Sequence, residues 1–87
     1  MLNFCKQEYR YRNLDTWEIY FTRVSNNLMR IECNLMRHNR KWWQKRFIYT
    51  DWTYTDRVED AYARVDMLID QYYEKQAEIN KMNKFFG

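Results

Sequence analysis

The sequence predicts an α+β fold: a four-stranded antiparallel β-meander packed against one long C-terminal α-helix. Apolar and polar residues alternate in the first part of the chain, which is typical of strands. Turn-forming residues recur there about every twelve positions, as in a meander. The last third instead spaces its apolar residues by three and four. We therefore expect a single domain over residues 1–87, with the meander at 5–50 and the helix at 56–84.

The strands are assigned from side-chain type and from the turns between them. Strands are expected near residues 5–12, 16–24, 28–36 and 42–50. Their residues are rich in β-branched and aromatic side chains, which favour a pleated sheet. Turn signals lie in the gaps at Asn13–Asp15, Ser25–Asn27 and Arg37–Arg40, and the second of these is a good hairpin turn. The alternative is an all-α helical hairpin, because apolar residues also keep a heptad spacing from Leu14 to Leu35.

The C-terminal helix has the clearest pattern in the chain. Asp56 and Glu59 have the spacing of a capping box, which favours a helix start at this point. A helix over 56–84 would extend ~42 Å, whereas a nine-residue strand covers only ~30 Å. The last two turns should therefore project beyond the sheet. Their apolar residues predict a homodimer or partner interface formed by Ile79, Met82, Phe85 and Phe86.

Charge is distributed unevenly along the chain, although the net charge is only +3. Residues 1–54 carry ten Lys or Arg against five acids, and residues 55–87 carry five against seven. A polyanionic partner is therefore expected for the first part only. The one glycine is Gly87, so the glycine-rich loops that bind nucleotide phosphates are excluded.

The strongest functional signal is residues 37–46, here called the basic segment, which hold five Lys or Arg, two adjacent tryptophans and no acid. Cations neutralise phosphates, and flat rings stack on bases. If residues 42–50 form a strand, Trp42 and Trp43 lie on opposite faces, and the sequence does not decide which is exposed. Arg10 and Arg12 of the first strand are expected to extend this surface. The candidate nucleic-acid-binding residues are Arg37, His38, Arg40, Lys41, Trp42, Trp43, Lys45, Arg46, Arg10 and Arg12.

Catalysis, metal binding and cofactor binding have no support in the sequence. His38 is the only histidine, and with Cys5 and Cys33 it cannot supply the four ligands of a zinc site. Both cysteines are expected to be small core residues, reduced in a cytoplasmic protein. No apolar run reaches the ~20 residues of a membrane span. We expect a protein that is not an enzyme and that binds no cofactor, no metal and no membrane.

These observations favour a non-enzymatic regulatory protein that binds RNA or single-stranded DNA. The alternative is a protein–protein inhibitor or antitoxin-like regulator whose basic segment docks on an acidic or nucleic-acid-binding surface of a target enzyme, with or without RNA as a bridge. A structural virion or scaffold component is a third possibility, based only on the apolar helix end.

In composition the chain resembles the small accessory proteins of tailed bacteriophages. It is short, has no proline, and is dense in Asn, Lys, Arg and Tyr. The resemblance implies a role in taking over a host cell, by blocking a host enzyme or defence factor in the host cytoplasm. It covers the whole chain and assigns no residue a role.

Overall fold

A computed structural model describes residues 5–87 and confirms the predicted α+β fold. Four antiparallel strands form one open sheet in the order β1-β2-β3-β4, and a single helix packs on one face. The elements are β1 (Cys5–Arg12), β2 (Asp15–Ser25), β3 (Leu28–Met36), β4 (Phe47–Thr55), a short 3-10 turn (Val58–Asp60) and α1 (Ala61–Phe86).

The first two hairpins turn where the sequence predicts. Asn13 and Leu14 join β1 to β2 with φ values of 52° and 67°. Positive φ at both central residues matches the right-handed twist of the strands they connect. Next to the β2–β3 turn, the pairing of these two strands shifts register between Arg23 and Ser25, so Val24 forms a bulge in β2.

The core lies between the sheet and the first half of α1. Trp17, at 0% exposure, is in edge-on contact with Tyr72 of the helix, with ring centroids 5.4 Å apart. Such contacts add stability beyond the area that they bury. The core is formed by alternate residues of β2 and β3 and by one face of α1: Trp17, Ile19, Phe21, Ile31, Cys33, Leu35, Ala61, Val65, Leu68 and Ile69.

The two cysteines differ, so the expectation that both are core residues is wrong for Cys5. Cys33 is buried on the helix-covered face, and burial raises the pKa of its thiol to about 12. Cys5 is exposed at the start of β1. Its partner across the ladder is Thr22, which lies on the opposite face of β2 from Phe21. The two thiols are therefore on different faces of the sheet.

The fourth strand was predicted at residues 42–50, and this position is wrong. β4 lies later in the chain, from Phe47 to Thr55. Pairing with β3 explains the difference. Met29 pairs with Thr55 and Met36 with Phe47, so the whole length of β3 is already matched. Residues 42–46 consequently lie outside the sheet, and the meander reaches 55 rather than 50.

The helix also begins later than predicted, and the Asp56–Glu59 capping box does not form. The 3-10 turn intervenes, and the Arg57 guanidinium pairs with Glu59 at 3.5 Å instead. From Ala77 to Phe86 every helix residue is exposed. Within residues 5–87, no helix combines the length and apolar character needed to cross a membrane.

Candidate nucleic-acid interface

The sheet has one face covered by α1 and one face without a covering element among the described residues. Residues of β2 such as Trp17 and Ile19 point to the helix, so Glu18 and Tyr20 point the other way. We call this second surface the open face. The basic segment leaves the sheet after β3 and returns at β4, at the end of the sheet that also carries the β1–β2 turn.

The basic segment is a closed loop with a tight turn at its tip. The Arg37 N–H donates to the Arg46 carbonyl at 2.9 Å and closes its base. At the tip, the Gln44 N–H donates to the Lys41 carbonyl at 3.0 Å, while Gln44 Oε1 accepts the Lys41 N–H at 2.9 Å. Gln44 therefore clamps Lys41 twice and positions the two residues between them.

Those two central residues are Trp42 and Trp43, and both are exposed. Trp42 is 91% and Trp43 is 64% exposed. The prediction that the two indoles lie on opposite faces of a strand is wrong, because residues i+1 and i+2 of a tight turn have no sheet to pack on. Two large rings held outside the core are available to stack on flat ligands.

Four cations of the segment have no acidic partner within salt-bridge distance in residues 5–87. They are Arg37, Arg40, Lys41 and Lys45. Arg37 Nε donates to the Lys45 carbonyl at 2.9 Å, and Arg40 Nη1 donates to the Gln44 carbonyl at 3.2 Å. These bonds fix the loop and leave the charges uncompensated.

Arg46 is paired with a buried acid. Glu18 on the open face is 0% exposed, and Arg46 Nη2 lies 2.6 Å from its Oε2. The guanidinium does not meet hydrogen-bond geometry at that oxygen, so charge attraction alone compensates it within the described chain. The other carboxylate oxygen accepts from Gln7 Nε2 at 2.5 Å and from the Tyr20 hydroxyl. The bond to Glu18, with burial, raises the pKa of Tyr20 to about 12.

His38 is also paired, with Asp15 at the start of β2. The two side chains are 2.8 Å apart, and the Tyr73 hydroxyl of α1 donates to the same carboxylate at 2.7 Å. Burial opposes ionisation of Asp15, but these two hydrogen bonds outweigh it and lower the pKa of Asp15. His38 and Arg46 thus anchor the loop at two points rather than extending the free cluster.

Arg10 and Arg12 do not join the basic segment, contrary to the sequence prediction. Both lie on the helix-covered side of β1. Arg10 pairs with Glu8 at 3.2 Å, and Arg12 pairs with Asp70 of α1. Each guanidinium also lies 5.2 Å from a tyrosine ring of the helix. β1 is an edge strand of the sheet. The aliphatic parts of arginine side chains at such an edge can cover apolar core residues while the guanidinium groups stay in water, which explains this placement.

Two aromatic residues on the open face were not predicted from the sequence. Trp52 and Tyr54 of β4 are 51% and 48% exposed. They pair across the ladder with Glu32 and Arg30, whose side chains also point away from the helix. The alternation Thr50-Trp52-Tyr54 could have revealed them if β4 had been placed correctly.

Residues 5–87 contain no group of three or more His, Cys, Asp or Glu side chains arranged to hold a metal ion. Comparison with known proteins found no matching family model, no similar curated protein and no similar solved structure.

Proposed function

We propose that this protein binds single-stranded RNA or DNA through the basic segment, without catalysis. The observation that carries the proposal is the tip of the loop, where Trp42 and Trp43 are exposed between Lys41 and the clamp residue Gln44. Four uncompensated cations surround two accessible rings on a loop held at its base and at its tip. Single-strand binding needs this combination of phosphate contacts and stacking surfaces.

Single-stranded ligands are favoured over a duplex by the shape of the site. The indoles occupy a tight turn, and neither a recognition helix nor a two-stranded ribbon presents them to a groove. Bases are accessible to such rings only when they are unpaired. Charge at the loop would then set affinity, and the rings would add sequence-tolerant stacking.

The charge contribution is tested with the triple variant Arg40→Ala, Lys41→Ala and Lys45→Ala. Binding of labelled oligo(U) and oligo(dT) of about 12 nucleotides is followed by fluorescence anisotropy across a salt series. Each phosphate contact contributes about 0.7 to the slope of log K against log salt, so the triple variant should lose about 2. The matched control removes three exposed cations from the opposite end of the sheet, Lys6→Ala, Arg23→Ala and Arg57→Ala, and should keep the slope.

The stacking contribution is tested separately with Trp42→Ala and Trp43→Ala. Each should weaken binding by about 1–3 kcal/mol if its ring stacks on a base. The salt slope should not change, because an indole releases no counterions. Absence of binding by the unaltered protein to either oligomer would overturn the proposal. A protein captured in fixed stoichiometry after nuclease treatment would favour an inhibitor that docks on a target enzyme.

A further inference from the structure

An open groove of 520 Å³ leads from the basic segment along the first half of β4. Its walls combine Arg37, Lys45 and Arg46 with residues 47–50 of the strand. Two of these cations, Arg37 and Lys45, belong to the uncompensated set described above. The groove therefore begins beside these two uncompensated cations and runs away from them along the edge strand β4.

Beyond this groove, β4 continues with Trp52 and Tyr54 on the open face, each about half exposed. The two residues are separated by one position, so they are roughly 7 Å apart along the strand. That separation suits rings that stack on neighbouring bases of an extended single strand. From Phe47 to Tyr54 the distance along β4 is about 23 Å.

Trp52 is held in place by a cation from the adjacent strand. The Arg30 guanidinium lies 5.3 Å from the centre of the indole, and Glu32 pairs with Arg30 at 2.9 Å. This contact orients the ring and offers a guanidinium plane beside it, which can itself stack on a base. Glu32 compensates the charge of Arg30, so the contribution beside Trp52 is stacking rather than charge.

The opposite edge of the sheet is less suited to the same ligand. Tyr9 and Tyr11 are exposed on the open face of β1. Their neighbours Arg10 and Arg12 point to the helix and are paired with acids. A nucleic acid bound along β1 would meet rings whose neighbouring cations are already paired with acids, whereas β4 offers rings next to uncompensated cations.

We infer that a bound single strand continues from the basic segment along β4, with successive bases stacked on Trp52 and Tyr54. The inference rests on the proposed function and extends its site across the open face. It makes affinity depend on ligand length: a short oligomer occupies the loop only, and a longer one also reaches the two rings. Site sizes of about 4–16 nucleotides are known for comparable stacking surfaces.

The test is the double variant Trp52→Ala and Tyr54→Ala, measured with oligo(U) and oligo(dT) of about 4 and about 12 nucleotides. Affinity for the longer oligomer should fall at least about tenfold, with an unchanged salt slope. Affinity for the shorter oligomer should stay the same. The conservative variant Trp52→Phe and Tyr54→Phe should restore most of the loss, since both rings remain.

The matched control is Tyr9→Ala with Tyr11→Ala, which removes two exposed rings from the opposite edge of the same face and should leave binding of both lengths unchanged. Equal binding of the longer oligomer by the unaltered protein and the β4 variant, while the loop triple variant is weakened, would overturn this inference and leave the proposed function intact. Loss of binding to both lengths in a β4 variant with a native circular dichroism spectrum would also overturn it. Failure of the unaltered protein to bind either length would instead overturn the proposed function.

Discussion

Arg46 lies 2.6 Å from the fully buried carboxylate of Glu18, reaching over β3 to the open face of β2. This ion pair joins the end of the basic segment to the centre of the sheet. It explains why one of the most basic stretches of the chain is ordered against the sheet: its last cation neutralises an acid that water cannot reach.

Replacing Arg46 with Ala should lower the free energy of unfolding by about 1–2 kcal/mol, because a buried carboxylate loses its compensating charge. The value is at the lower end because Arg46 itself is about half exposed to solvent. Urea unfolding measures the change. In a double-mutant cycle with Glu18→Gln, the two substitutions should be non-additive by at least ~0.5 kcal/mol. Strict additivity would show that the ion pair does not contribute.

The turn residue Leu14 should be replaceable with a gain in stability. It has a φ of 67° and is 96% exposed, so its backbone is strained and its side chain buries little surface. A left-handed backbone conformation costs a non-glycine residue roughly 1–2 kcal/mol. Glycine avoids that cost but loses more conformational entropy on folding, which offsets roughly 0.5–1 kcal/mol of the gain. Leu14→Gly should therefore raise the midpoint of thermal unfolding by several degrees. Val24→Gly, at a position without positive φ, should lower it, and the opposite order would contradict the strain argument.

The Asp15 carboxylate should make stability depend on acid pH. Hydrogen bonds from His38 and Tyr73 outweigh burial and hold the pKa of Asp15 below its ordinary 3.8. The folded chain therefore binds this proton less tightly than the unfolded chain, so its contribution is present above pH 3.8 and is lost as pH falls through the lowered pKa. Asp15→Asn should destabilise most at neutral pH, and urea unfolding should show the difference shrinking in acid. A difference independent of pH would contradict this assignment.

The exposed end of α1 should mediate a two-fold homodimer. Ile79, Met82 and Phe86 continue the three- and four-residue spacing by which Leu68 faces the core, but they have no sheet beneath them. Phe85 and Phe86 are 81% and 77% exposed, and such rings bury about 150–250 Å² each on contact.

Phe85→Glu with Phe86→Glu should convert the dimer into a monomer in light scattering coupled to size-exclusion chromatography, because it introduces like charges into a self-complementary contact. Val58→Glu is the matched control, since it places the same charge at a residue that is 74% exposed in the 3-10 turn before α1, at the opposite end of the helix. A monomeric unaltered protein would contradict the prediction.

Much of the fold could be predicted because its signals are local. Asn13 and the residues after Ser25 tolerate tight turns, so both turns are encoded locally. Apolar and polar residues alternate along the strand between them, so only one of its faces can be buried. The register of β4 could not be read locally. Residues 42–50 and 47–55 both have strand-like composition, and only pairing with β3 selects the second.

The residue types of the candidate site could be predicted from the sequence, but which of those residues are free to contact a ligand could not. The sequence placed five cations and two indoles in one short segment, and the structure leaves four of the cations without an acidic partner. Arg10 and Arg12 were misassigned because alternation shows that they share a face, but not that α1 covers that face.

The sequence by itself determined the α+β class, the helix, the first two hairpins and the position of the basic segment. Each of these follows from neighbouring residues through backbone preference and periodicity. Tertiary structure alone decided which charges are free, since Glu18 and Asp15 reach Arg46 and His38 across distances of more than twenty residues in the chain. It also decided that both Trp42 and Trp43 are exposed, because the long-range pairing of β3 with β4 excludes them from the sheet.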